Sequence, residues 1–185
     1  MSAAATVTTV SVTIEKQQRT EWCWAAVSVS VNAFFRPGAS HTQCDLAGAI
    51  LKLPCCAGQQ PSQSAACNVP HDIHTVLGRL HLLAADPIVK PLSFAEVQDE
   101  IDHGRPVCVL IKWLGSNGQP GDRGHFIAID GYRITPAQKQ FVSIGDPCYG
   151  PSEVDYEQFS SPQGGYRDGR GVWFASFRVA NMAVA

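Results

Sequence analysis

The sequence has no apolar run near the roughly 20 residues that a membrane span requires, and it has no long basic cluster. Its 14 basic and 16 acidic residues leave a formal charge of -2, so nothing in the balance favours nucleic acid or an anionic membrane surface. Internal repeats are absent, as is the C-x2-C spacing that marks most zinc-binding cysteines. The first residues, MSAAATVTTVSVTIEKQQ, lack the charged n-region of a secretory signal, and Thr and Ser interrupt any apolar segment behind it.

What is present fits one compact domain. The 185 residues are 45% hydrophobic and 16% charged, an ordinary globular balance with enough chain for a sizeable core. Seven cysteines are many for this length, and they are unevenly placed. Cys44, Cys55, Cys56 and Cys67 fall within 24 positions, whereas Cys23, Cys108 and Cys148 stand apart, which suggests two different roles.

The Val- and Thr-rich stretch Thr6 to Ile14 predicts a β-strand. After a polar connector, Cys23 to Phe35 reads as a buried helix: it is 13 residues long, opens with Ala-Ala soon after the cysteine, and stops at Pro37-Gly38. Shorter helices are expected over Asp45 to Leu53 and Pro70 to Leu80, with a Gln/Ser/Ala loop from Ala57 to Ala66 between them. Ser93 to His103 carries the clearest helix signals. Ser93 and Glu96 form a capping box, Phe94, Val97 and Ile101 share a face, and Gly104 supplies the stop. Strands are predicted over Pro106 to Trp113, Gly124 to Tyr132, Gln140 to Gly145 and Gly171 to Val179. Helices followed by strands indicate an α+β fold in two lobes with a cleft between them.

Three short islands carry chemistry. In the first, Gln17 precedes Trp22-Cys23-Trp24-Ala25-Ala26. Free N–H groups and the helix dipole at a first turn favour an anion, and thiolate is the reactive form of cysteine, so Cys23 suits a nucleophile. The bland alternative is a small hydrophobe in a core helix. In the second, Gly124-His125 opens an apolar strand that ends at Gly131-Tyr132. An imidazole there can take a thiol proton and return it to a leaving amine. In the third, Ile144-Gly145-Asp146-Pro147 ends a strand in a carboxylate placed to fix the His125 tautomer. Taken singly, a strand histidine is usually structural and Asp-Pro is usually a turn.

Together the islands resemble the bacterial branch of the papain-like cysteine peptidases, which includes plant-pathogen effector proteases and, more distantly, bacteriocin-leader peptidases. The matching features are a Gln six residues before Cys23-Trp24-Ala25, Gly124-His125 through Gly131-Tyr132, and Asp146-Pro147-Cys148-Tyr149-Gly150. The resemblance spans roughly Gln17 to Phe177. It implies a papain-like two-lobed fold, with the nucleophile helix in a helical lobe at about residues 20–104. An antiparallel sheet or barrel lobe covers about 105–185 together with the N-terminal strand, all in one domain. It implies Cys23 as nucleophile, His125 as base, Asp146 as orienting group and Gln17 as oxyanion-hole donor beside the Cys23 N–H, with Gln18 as the alternative. In papain-type enzymes the orienting residue is Asn, shielded by a Trp. Here Cys148 stands in the shield position, so the orienting bond is expected to be wetter unless Trp173 covers it from another strand.

For the clustered cysteines, disulfides are favoured over zinc shared with His71 and His74, and free thiols are the remaining option. Adjacent cysteines rarely pair with each other, so Cys55 and Cys56 should each reach outward, one to Cys44 and one to Cys67, in either order. His41 and His81 read as surface residues, His103 as a helix-end cation and Cys108 as core. The leading function is peptide-bond hydrolysis through a thioester. The rival readings are a protein deamidase or acyl transferase using the same residues, and a non-catalytic disulfide-stapled binding module. The expected partner is a protein or peptide substrate, with no nucleic acid, membrane, cofactor or metal. A secreted protein or delivered effector without a visible signal peptide is expected, with a cytoplasmic enzyme as the alternative. With sixteen residues before Gln17, no separate inhibitory domain is expected ahead of it.

Overall fold

A computed structural model describes residues 4–38, 41–56 and 65–182. In chain order the elements are β1 (Thr6–Thr9), α1 (Cys23–Phe35), α2 (Gln43–Leu51), a 3-10 turn (Ala65–Cys67), α3 (Ile73–Arg79) and α4 (Phe94–Asp102). They continue with β2 (Val107–Leu114), β3 (Pro120–Ile134), β4 (Gln140–Gly145), β5 (Ser152–Asp155), α5 (Tyr156–Phe159) and β6 (Gly171–Arg178). The fold is α+β, helices first and then an antiparallel sheet, as the sequence predicts. Most of the Gln/Ser/Ala loop lies outside the described residues.

The sheet order is β5-β4-β3-β2-β6, with β1 added beside β3. The long β3 strand pairs with β2 along its first half and with β1 and β4 along its second. The change of partners falls at a bulge between Ile129 and Gly131, where an extra residue bends the strand. Strand β1 is shorter than the Thr6 to Ile14 run predicts. The Val12 N–H turns back onto the Val10 carbonyl, which ends the ladder.

Side-chain alternation along the strands divides the interior into two cores. Cys108, Phe126, Ala175 and Phe177 meet α1, α2 and α3 in the first. Val107, Val109, Ile127 and Ile129 meet α4 in the second. Grouping α4 with the helical lobe therefore does not describe its packing: Phe94, Val97 and Ile101 bury against the sheet's other core. Its capping box forms as read, with Ser93 and Glu96 each bonding the other's backbone N–H.

Helix α1 is buried along Cys23 to Asn32, consistent with apolar side chains on every side. Its start is held by two indoles. Trp22 Nε1 donates to the Cys67 carbonyl and Trp24 Nε1 to the Val69 carbonyl. Two disulfides brace this region, Cys44–Cys56 and Cys55–Cys67, with Cα separations of 5.3 and 5.7 Å. This is one of the two outward pairings open to the adjacent cysteines. Helix α2 begins two residues before the expected Asp45, because Thr42 and Asp45 make a second capping box. No helix among the described residues is long and apolar enough to cross a membrane.

Candidate active site

Cys23 is the first residue of α1, and no side chain caps that helix among the described residues. The first-turn N–H groups therefore have no side-chain partner at the place where the helix dipole attracts negative charge. Cys23 opens onto a cleft of about 910 Å³, whose walls include Gln17, Trp113, His125, Cys148 and Tyr149.

His125 reaches this cleft from β3. Gly124 before it packs tightly on β2: a Cβ there would lie 2.8 Å from Leu110 Cδ1. His125 Nε2 stands 2.9 Å from Asp146 Oδ1, and Cys23 shares the cleft wall with the same ring, near enough for its sulfur to raise the imidazole pKa. With Nε2 on the carboxylate, Nδ1 is the nitrogen left for sulfur. Burial by itself pulls the imidazole pKa down. The bond to Asp146, with the influence of the nearby Cys23 sulfur and the negative charge of the carboxylate, overrides it and raises His125 from 6.5 to about 9. The ring is thus held as an imidazolium at neutral pH.

Asp146 follows the end of β4, and its side chain is fully buried. Burial pushes its carboxyl up, but the bonds from His125, Tyr166 and the Tyr149 N–H together hold it below the usual range. Oδ1 also accepts from the Cys148 N–H at 2.7 Å and the Tyr149 N–H at 2.9 Å. Oδ2 accepts from the Tyr166 hydroxyl. Burial, followed by that bond to the carboxylate, raises the Tyr166 pKa.

The orienting bond is therefore dry rather than wet. The shield is not Trp173, whose Nε1 donates to Ser176 Oγ and whose ring packs on Phe159. Trp113 takes that place on β2. Its ring stacks on His125 at 6.1 Å between centroids and on Tyr166 at 6.3 Å. Tyr149 meets the imidazole edge-on at 6.0 Å. Sequence reasoning missed both Trp113 and Tyr166. Trp113 was legible only as a strand residue, and Tyr166 lies 20 positions beyond Asp146 with no motif to join them.

Gln17 lies in the cleft, and its N–H donates to the Pro147 carbonyl at 2.8 Å. Its side-chain Nε2 donates to the Arg19 and Thr20 carbonyls at 2.8 and 2.7 Å, so both amide hydrogens are committed in the free chain. The alternative donor, Gln18, is exposed and does not line the cleft. Cys108 is fully buried in β2, and burial pushes its thiol up to about 12. Cys148 is free and exposed at the cleft.

The zinc reading of the cysteine cluster fails. The one group of metal-ligating types among the described residues is Cys44, Asp45 and Cys56, and its two sulfurs are bonded to each other. His71 packs on Trp24, and His74 lies beside Asp72. His41, His81 and His103 are exposed.

The model of the Peptidase_C39 like family matches residues 9–168, a span that contains Gln17, Cys23, His125, Asp146 and Tyr166. No curated protein matches the chain.

Proposed function

Because the chain belongs to the Peptidase_C39 like family, with the α+β architecture of papain-like enzymes, we propose that it hydrolyses peptide bonds through a Cys23–His125–Asp146 triad. The observation that supports this reading is the 2.9 Å bond from His125 to the buried Asp146 carboxylate, with Cys23 and His125 together on the wall of an open cleft.

In the first half-reaction Cys23 Sγ, as thiolate, attacks the substrate carbonyl carbon. The carbonyl electrons move onto oxygen, which the Cys23 N–H and Gln17 Nε2 receive. A donor at that position contributes about 2.7–4 kcal/mol to the transition state. Gln17 delivers this bond by releasing one of its two carbonyl partners, and the exposed Thr20 carbonyl is the one a substrate can displace. The intermediate collapses, the C–N bond breaks, and the amine leaves with the proton from His125. Water then enters and its oxygen attacks the thioester carbon as His125 takes its proton; the new intermediate collapses with cleavage of the C–S bond, which releases the acid and restores the thiolate. Asp146 stays ionised throughout and holds the imidazole on its tautomer.

The test is turnover of a quenched fluorogenic peptide library, with products read by mass spectrometry. New peptide termini that vanish with Cys23→Ala are the expected result. A gain of about one mass unit without fragments would assign a deamidase instead, by the same attack and oxyanion chemistry. A Cys23 inert to alkylators would leave only a binding module.

A further inference from the structure

Gln43 is the first residue of α2, well away in sequence from every island that carries chemistry, and nothing in the reaction above uses it. It is nonetheless 1% exposed, and every bond its side chain makes goes to the segment that carries Gln17. Its Nε2 donates to the Lys16 carbonyl at 2.9 Å and to Glu15 Oε2 at 3.1 Å. Its Oε1 accepts from the Gln18 N–H at 2.9 Å. One buried amide thus grips the main chain on both sides of Gln17.

The remaining ties to this segment come from the site itself. The Gln17 N–H bonds the Pro147 carbonyl, next to Asp146. The Glu15 N–H bonds Ser30 Oγ, on the same helix as Cys23. Residues 15–18 form no helix or strand, so no ladder of their own fixes them. A segment without regular structure keeps a side chain in register only through such bonds. A buried polar group with its donors and acceptor engaged is costly to misplace, which makes it a stiff anchor.

We propose that Gln43 is the positioning residue for the oxyanion donor: it sets the main chain from which the Gln17 side chain reaches the substrate oxygen. This rests on the role of Gln17 in the proposed reaction, and the test separates the two. Turnover of the best fluorogenic peptide is measured for wild type, Gln17→Ala, Gln43→Met and the Gln17→Ala/Gln43→Met pair. Alkylation of Cys23 by iodoacetamide is measured alongside, since that reaction forms no oxyanion.

The expected result for Gln43→Met is a fall in kcat of about 10- to 100-fold, the scale of a displaced catalytic group. KM and the alkylation rate should stay within about two-fold. In the Gln17→Ala background the same change should cost little, because the donor it positions is gone. An equal loss in both backgrounds, or an alkylation rate that falls with kcat, overturns the inference. An unchanged kcat in Gln17→Ala overturns the donor role itself, and with it this proposal. Where Gln43→Met fails to fold, Gln43→Asn, which keeps the amide one methylene short, carries the same comparison.

Discussion

Tyr166 donates its hydroxyl to Asp146 Oδ2, the oxygen on the far side of the carboxylate from His125. The carboxylate is therefore held from both ends, and its charge is conserved in a site where its side chain sees no solvent. Tyr166→Phe removes one donor and fills the same space. Stability should fall by about 1.5–3 kcal/mol, the usual worth of a hydrogen bond to a charged group. The Asp146 carboxyl should rise, because donors to the ionised form are what lower it. The acid limb of kcat/KM then moves to higher pH. A limb that does not move in the folded variant would show that Tyr166 carries no part of the tuning.

The alkaline limb reports on His125. Its pKa is raised to about 9, so the imidazolium is present below that value and lost above it. On the proposed reading, activity should fall as pH rises through about 9. The stability contributed by the charged ring is complete below 6.5 and is lost over the interval up to about 9. Asp146→Asn removes the charge but keeps an acceptor for the ring N–H. The alkaline limb should move to lower pH while part of the activity survives, and Asp146→Ala should lose more. An Asn variant as inactive as Cys23→Ala would contradict a purely orienting carboxylate.

The three free cysteines should separate by reactivity. Cys23 is paired with an imidazolium, Cys108 is buried with its thiol pushed up to about 12, and Cys148 is exposed. Partial burial, then the charges of Asp146 and Cys23, push the Cys148 thiol up as well. Limited iodoacetamide at neutral pH should label Cys23 first, Cys148 slowly and Cys108 only after unfolding. Peptide mapping reads the order. Labelling of Cys108 in the folded protein, or loss of turnover in Cys108→Ala, would contradict it.

How much of this was legible in sequence differs from element to element. Helix α1 and strand β4 occupy the ranges their patterns predict, because each is bounded by a strong stop, Pro37-Gly38 and Asp146-Pro147. Strand β5 and helix α5 escaped notice: Ser-Glu-Val-Asp has one apolar residue, and an edge strand needs no more. Cys23 at the start of α1 and Asp146 just past β4 sit where their patterns put them, whereas His125, read as opening a strand at Gly124, lies inside β3, which begins at Pro120. The covering of the site was not legible, since Trp113 and Tyr166 approach from other parts of the fold. Tyr166 is delivered by a glycine whose role only close packing reveals. A Cβ on Gly165 would lie 1.7 Å from the Gln158 carbonyl oxygen, so that segment lies against α5 only without a side chain. The conjunction of Gln43 with residues 15–18 was invisible for the same reason: a buried side-chain bond across 25 to 28 positions leaves no periodic trace.

The two disulfides should differ in their effect on the site. Each joins cysteines 12 residues apart, so each should stabilise the fold by roughly 3 kcal/mol in the chain-entropy model, or about 6–12 °C in Tm. Only one of them holds the wall behind Cys23. Cys67 is bonded to Cys55, and its carbonyl accepts the indole N–H of Trp22, the residue immediately before Cys23. The next contact, from Trp24 to the Val69 carbonyl, lies two residues further along the same segment. Replacing Cys55 and Cys67 together by Ser should therefore loosen the start of α1 and slow the alkylation of Cys23, besides lowering Tm. Replacing Cys44 and Cys56 instead frees α2 and leaves both indole contacts in place. That variant should lose a similar amount of Tm while Cys23 alkylates at close to the wild-type rate. Calorimetry and alkylation kinetics on the two double variants make the comparison. Equal slowing in both would mean that the bridges act through global stability alone, and that the Trp22–Cys67 contact does not set the position of Cys23.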